Sequence, residues 1–120
     1  MAKEPAYTYE IKEIIKFIDG DTVDVLIDLG FNLLIKKRVR LYGINAPESR
    51  TRNKEEKARG KAATKKLFEL CQLNNKNSCL ILKCHGLGKY GRVLGEIFND
   101  DESVNQMMVA TGNAEEYLLD

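Results

Sequence analysis

Three short stretches carry side chains that could act on a phosphate ester. Asp19-Gly20-Asp21-Thr22 sets two carboxylates around a tight turn. Hard cations such as calcium take oxygen ligands, so the pair could serve one. It does not follow the helix-loop-helix calcium pattern, because glycine falls between the first two aspartates and the twelfth loop position is not Glu. Taken alone, it reads more simply as an Asx-turn, with Gly20 supplying a positive φ. Arg40 to Glu48 (RLYGINAPE) puts an arginine on a strand face and a carboxylate just past a proline. Arginine holds phosphate through paired hydrogen bonds, and a nearby Glu could take a proton from water. An exposed strand charge and a loop Glu would look the same. Lys89-Tyr90-Gly91-Arg92 offers cations and a ring at a loop mouth, suited to phosphate contact and base stacking or simply to a solvated turn.

The elements that must position these residues are legible from periodicity. Residues 8–18 read as a strand whose alternation slips near Glu13-Ile14, marking a bulge. Val23, Val25 and Ile27 alternate with polar neighbours in a second strand, and Gly30-Phe31-Asn32 turns into a third over 33–43. There Val39 and Leu41 share one face and Arg38 and Arg40 the other. Asn53 and Glu56 resemble a capping box before a helix over 54–72, in which Gly60 costs about 1 kcal/mol and predicts irregular first turns. Residues 79–84 and 92–98 read as two more strands joined by a glycine-rich loop. A last helix over 102–111 stops at Gly112. The order suits one domain over 1–120, mainly β with helices: a five-stranded Greek-key barrel of OB type with two to three α-helices.

Net charge is only +1, but it is unevenly placed. Residues 1–35 carry three Lys or Arg against seven Asp or Glu, residues 36–92 sixteen against four, and residues 93–120 none against seven. A basic middle is what a phosphate-binding surface needs, although a solvated helix face would also account for it. The three cysteines, Cys71, Cys79 and Cys84, form no Cys-x-x-Cys pair, and His85 has no partner for a zinc site. They read as free, packed thiols in a reducing compartment. No apolar run is long enough to span a membrane. The polar start Met1-Ala2-Lys3-Glu4-Pro5 is unlike a signal peptide. The expected setting is the cytoplasm, or outside the cell for a mature form whose signal has been removed.

The ordered set DGDT (19–22), RLYGINAPE (40–48), EEKARGKAATKKL (55–67), KYGR (89–92) and SVNQMMVATG (103–112) resembles the thermonuclease family, of which staphylococcal nuclease is a member. The likeness runs from about residue 8 to 114. It implies a calcium-dependent endonuclease that cleaves DNA and RNA with little sequence preference and leaves 3′-phosphate ends. Single strands and frayed duplex would be the preferred partners, and the chain would be a monomer. By position, Asp21 resembles the first calcium-ligating carboxylate, and the Ala46 carbonyl matches a main-chain ligand. Arg40 and Arg92 resemble the arginines that hold the scissile phosphate, and Glu48 the glutamate proposed to act on the attacking water. Lys89 and Tyr90 match a pair that contacts a terminal phosphate. Tyr117 lies about one residue off the family's base-stacking tyrosines. Asn45 stands where the family has a second metal-ligating aspartate, so the resemblance implies weaker calcium binding with activity retained. The alternative is a non-catalytic nucleic-acid-binding barrel. An acidic-tailed interaction protein would leave the motifs unexplained.

Overall fold

Strands whose apolar residues alternate with polar ones need a second layer to cover the apolar face, and a barrel supplies it from the sheet itself. The structure is a computed structural model that describes residues 7–73, 78–88 and 91–117. β1 (Tyr7–Asp19) pairs antiparallel with β2 (Thr22–Asp28), which pairs with β3 (Leu34–Leu41). β1 also pairs with β5 (Leu80–Leu87), and β5 with β6 (Val93–Asn99). A parallel pairing of Val39 with Val93, Arg40 with Leu94 and Leu41 with Gly95 joins β3 to β6 and closes the ring. This is the five-stranded OB-type barrel expected.

β1 serves two neighbours because it bends. Its register with β2 slips between Ile11 and Glu13, Ile14 and Lys16, and Phe17 and Asp19, and such bulges increase local twist. The slip expected near Glu13-Ile14 is therefore present, with two others. Val23, Val25, Val39, Leu41, Leu82 and Ile97 are fully buried or nearly so inside the barrel. Each is worth roughly 1.5–3 kcal/mol relative to an exposed position.

Among the described residues there are two α-helices. α1 (Lys54–Leu70) packs Ala63 and Leu67 on the barrel, and α2 (Val104–Ala110) adds Val104 and Met108. The Asn53 carboxamide accepts from the N–H groups of Glu55 and Glu56, so half of the expected capping box forms. The other half does not: the Asn53 N–H donates to Thr51 Oγ1 instead of the Glu56 side chain. At the far end, Asn99 Nδ2 donates to the carbonyls of Leu70 and Gln72, tying α1 to β6. β7 (Glu102–Ser103) pairs with β6 and takes the first residues of the expected last helix. Ser103 then caps α2, and Gly112 takes a positive φ of 77° just past its end. Two short strands lay beyond periodicity: β4 (Ile44–Asn45) and β8 (Glu115–Glu116) pair with each other.

Two glycines act differently from expectation. Gly20 does not take a positive φ; a Cβ there would lie 2.7 Å from that of Ala63 and 3.0 Å from that of Ala46, so its absence lets the β1–β2 turn lie on α1. Gly60 does not disturb the helix, which is continuous from Lys54. Its α-hydrogen faces the loop before α1, where a Cβ would come within 2.3 Å of the Glu48 carbonyl oxygen and 2.5 Å of the Ser49 nitrogen. The cysteines are free, with Cys71 buried and Cys79 and Cys84 partly so. No helix among the described residues is long and apolar enough to cross a membrane.

Candidate functional site

Asp21 ends the β1–β2 turn and is almost fully buried. Its main-chain carbonyl accepts from the Leu41 N–H at 2.7 Å, continuing the β2–β3 ladder. Its Oδ1 accepts from the Thr22 hydroxyl at 2.9 Å, and its Oδ2 from the Ala46 N–H at 2.9 Å. Thr22 pairs with Arg40 across the sheet, which places the guanidinium beside the same carboxylate. Arg40 Nη2 lies 3.6 Å from Asp21 Oδ2 and donates to Asn45 Oδ1 at 3.3 Å, while Nη1 donates to the Leu41 carbonyl at 2.9 Å. Asp21, Arg40, Asn45 and Ala46 thus form one cluster.

Glu48 is brought near but not into that cluster. It is exposed and lines a cleft of about 380 Å3 shared with Asn45, Ala46, Glu56, Arg59 and Glu115. Its loop is clasped by Ser49, whose N–H and hydroxyl both donate to Asp19 Oδ1, at 3.2 and 2.6 Å. Gly60 lets that loop rest directly on α1. Arg92 lies immediately before β6, the strand that runs beside Arg40's, and lines a groove of about 600 Å3. Lys36, Lys37, Arg38 and Arg50 share the groove, with Asp19 and Thr22 at the cluster's end. An acid-lined cleft and a base-lined groove therefore both adjoin the Asp21–Arg40–Asn45 cluster. Arg38 in turn is fixed by Asp24, with Nε to Oδ1 at 2.8 Å and Nη2 to Oδ2 at 3.2 Å.

The remaining expected residues divide. Lys89 and Tyr90 lie outside the described residues. Tyr117 donates its N–H to the Gly43 carbonyl at 2.8 Å and leaves its ring half exposed, next to the strand pair that carries Asn45. For a hard cation, the cluster offers the Asp21 carboxylate and the Asn45 amide oxygen, and Ala46, joined to Asp21 through its N–H, carries the carbonyl expected from the family resemblance. That set fits a hydrated cation held weakly. Among the described residues no group of three or more His, Cys, Asp or Glu side chains is placed to hold a metal.

A family model described as staphylococcal nuclease homologue matches residues 38–119. The chain belongs to that family. It is also 32% identical over 122 residues to Protein ParB of Escherichia coli, an alignment taking in 94% of this chain and 60% of ParB. The chain thus spans about 60% of the length of this curated relative. The family match covers Arg40, Asn45, Ala46, Glu48 and Arg92, whereas Asp21 precedes it. The staphylococcal nuclease homologue fold also explains residues that spacing alone passed over. Asn105, 2% exposed, donates from Nδ2 to the carbonyls of Tyr42 (2.9 Å) and Gly95 (3.1 Å) and accepts from the Ile97 N–H (3.2 Å), fixing the turn between Arg40 and Asn45. Tyr42 stacks on His85 at 4.4 Å between centroids, and His85 Nε2 lies 3.4 Å from Glu96 Oε1. In the sequence, a polar residue within a helical apolar stripe and a glycine inside a good helix were the only signals of such supports.

Proposed function

We propose that this chain is a nuclease domain that hydrolyses phosphodiester bonds of DNA and RNA, with a calcium ion held by Asp21, Asn45 and the Ala46 carbonyl. The observation that carries this reading is Arg40, whose Nη2 lies 3.6 Å from Asp21 Oδ2 and donates to Asn45 Oδ1, while Asn45 lines the acidic cleft and Thr22, paired with Arg40 across the sheet, lines the basic groove. A calcium ion there supplies Lewis acidity toward a phosphate oxygen and a template for the substrate. Arg40 and Arg92 grip the phosphate, and their hydrogen bonds strengthen as charge builds on its oxygens. Glu48, on a loop fixed by Ser49 and Gly60, accepts the proton of the attacking water. The basic groove carries the adjoining strand; single strands and frayed duplex as substrates, and a 3′-phosphate on the product, are what the family resemblance implies. By family position Lys89 and Tyr90 would contact a terminal phosphate, and Tyr117 would stack on a base.

A second reading is a non-catalytic nucleic-acid-binding barrel, favoured by the single carboxylate among the three cation donors. Digestion of plasmid and single-stranded DNA, with calcium or with chelator, separates the two. Cleavage requires calcium and falls at least about 100-fold in Arg40→Ala, Arg92→Ala and Glu48→Gln. Full activity in the variants, or cutting in chelator, would overturn the nuclease assignment; strand binding with no cutting would favour the binding module.

A further inference from the structure

A second groove, of about 580 Å3, opens beside the basic one. Ile18 and Arg50 line both, so the two are continuous. Its apolar floor is Phe17 and Phe68, whose rings meet edge to face with centroids 5.4 Å apart and planes at 74°. Phe68 nevertheless remains 50% exposed. Its helix buries the neighbouring Leu67 and Ala63 on the barrel, while Phe68 shares the outer face with Lys61 and Lys65, seven and three residues earlier. The rim is thus three cations, Arg50, Lys61 and Lys65, around an aromatic platform.

A positively charged groove with a stacking surface is the composition that takes single-stranded nucleic acid, because every base has a π-face and every linkage a negative charge. A second copy of the chain would bring the three cations against their own kind, and a neutral apolar peptide would leave them without a partner. We infer that this aromatic groove is a subsite for a single strand running on from the basic groove. A base stacks on Phe68, and the flanking phosphates lie against Arg50, Lys61 and Lys65. The inference rests on the nuclease reading for the strand's entry into the basic groove.

The test uses labelled phosphorothioate oligothymidylates of about 4 and about 12 nucleotides, in chelator, followed by fluorescence anisotropy. Phe68→Leu keeps apolar packing but removes the ring; it should weaken the longer strand about 5- to 100-fold and leave the shorter one unchanged. Phe68→Trp should retain wild-type binding, which a packing role alone would not require. Lys61→Gln with Lys65→Gln should lower the slope of log affinity against log salt by about 1.4. Unchanged affinity of Phe68→Leu for the longer strand, with normal digestion activity, would overturn the subsite and leave the nuclease reading standing. Loss of self-association in light scattering, with strand affinity intact, would assign the groove to a second copy instead. Failure of the wild-type chain to bind or cut any strand would bring down both readings.

Discussion

Arg40 reaches Asp21 and Asn45 with one amino group, so a change at position 45 is felt by the arginine and, on the proposed function, would be felt by the calcium ion. Asn45 Oδ1 accepts a hydrogen bond but carries no charge, and ligand charge is a main lever on calcium affinity. Asn45→Asp should therefore raise calcium affinity about tenfold or more, measured by calorimetric titration against the parent. Equal affinities would sink the charge explanation. Asp21 is better insulated, because both of its oxygens already accept from Thr22 and Ala46. The residue types at 21, 40, 45 and 48 were readable in the sequence as possible chemistry. That one guanidinium spans two of them was not, since it depends on cross-strand register and on the β3–β4 turn.

At the scale of the element, α1 is as much a template for a loop as a cover for the core. Gly→Ala in a helix interior normally stabilises by about 1 kcal/mol. Here the added Cβ would meet the Glu48 carbonyl at 2.3 Å, a main-chain contact that no rotamer relieves. Gly60→Ala should thus lower thermal stability by more than about 1 kcal/mol and reduce turnover as Glu48→Gln does, because the loop must move. A Tm equal to or above the parent's would show that the close approach is not required. The β2–β3 hairpin shows strain of another kind. Phe31 and Asn32 take positive φ of 55° and 62°, and Phe31 is 96% exposed at the tip.

At the scale of the whole molecule, two buried-edge groups set how stability responds to pH. Hydrogen bonds from Arg38 hold the Asp24 carboxyl below its usual range, against the opposing pull of burial. A depressed folded-state value stabilises above the ordinary aspartate value of about 3.9 and is lost as pH falls through the lower folded value. Burial pushes the Cys71 thiol the other way, up to about 12. The unfolded thiol ionises first, so its contribution turns unfavourable as pH climbs from about 9 towards 12. Urea melts across pH should show both limbs, with Asp24→Asn flattening the acid one and Cys71→Ala the alkaline one. Limbs identical to the parent's in both variants would count against these two groups as the cause.

Strand alternation, the Asn53 cap, the turn at Gly30 and the Gly112 stop are local signals, and each formed near its expected place because each is decided within a few residues. The excess of cations over residues 36–92 was equally plain in one dimension. Only the tertiary structure divided it, placing Lys36, Lys37, Arg38 and Arg92 along one groove and Lys61 and Lys65 along a second that Arg50 joins. Barrel closure through β3 and β6 brings Arg92 beside the strand of Arg40, a pairing between segments far apart in the chain that no local pattern encodes. The glycines make the same point in miniature. The sequence fixes that a side chain is missing at Gly20 and Gly60, but only packing decides which neighbour uses the space.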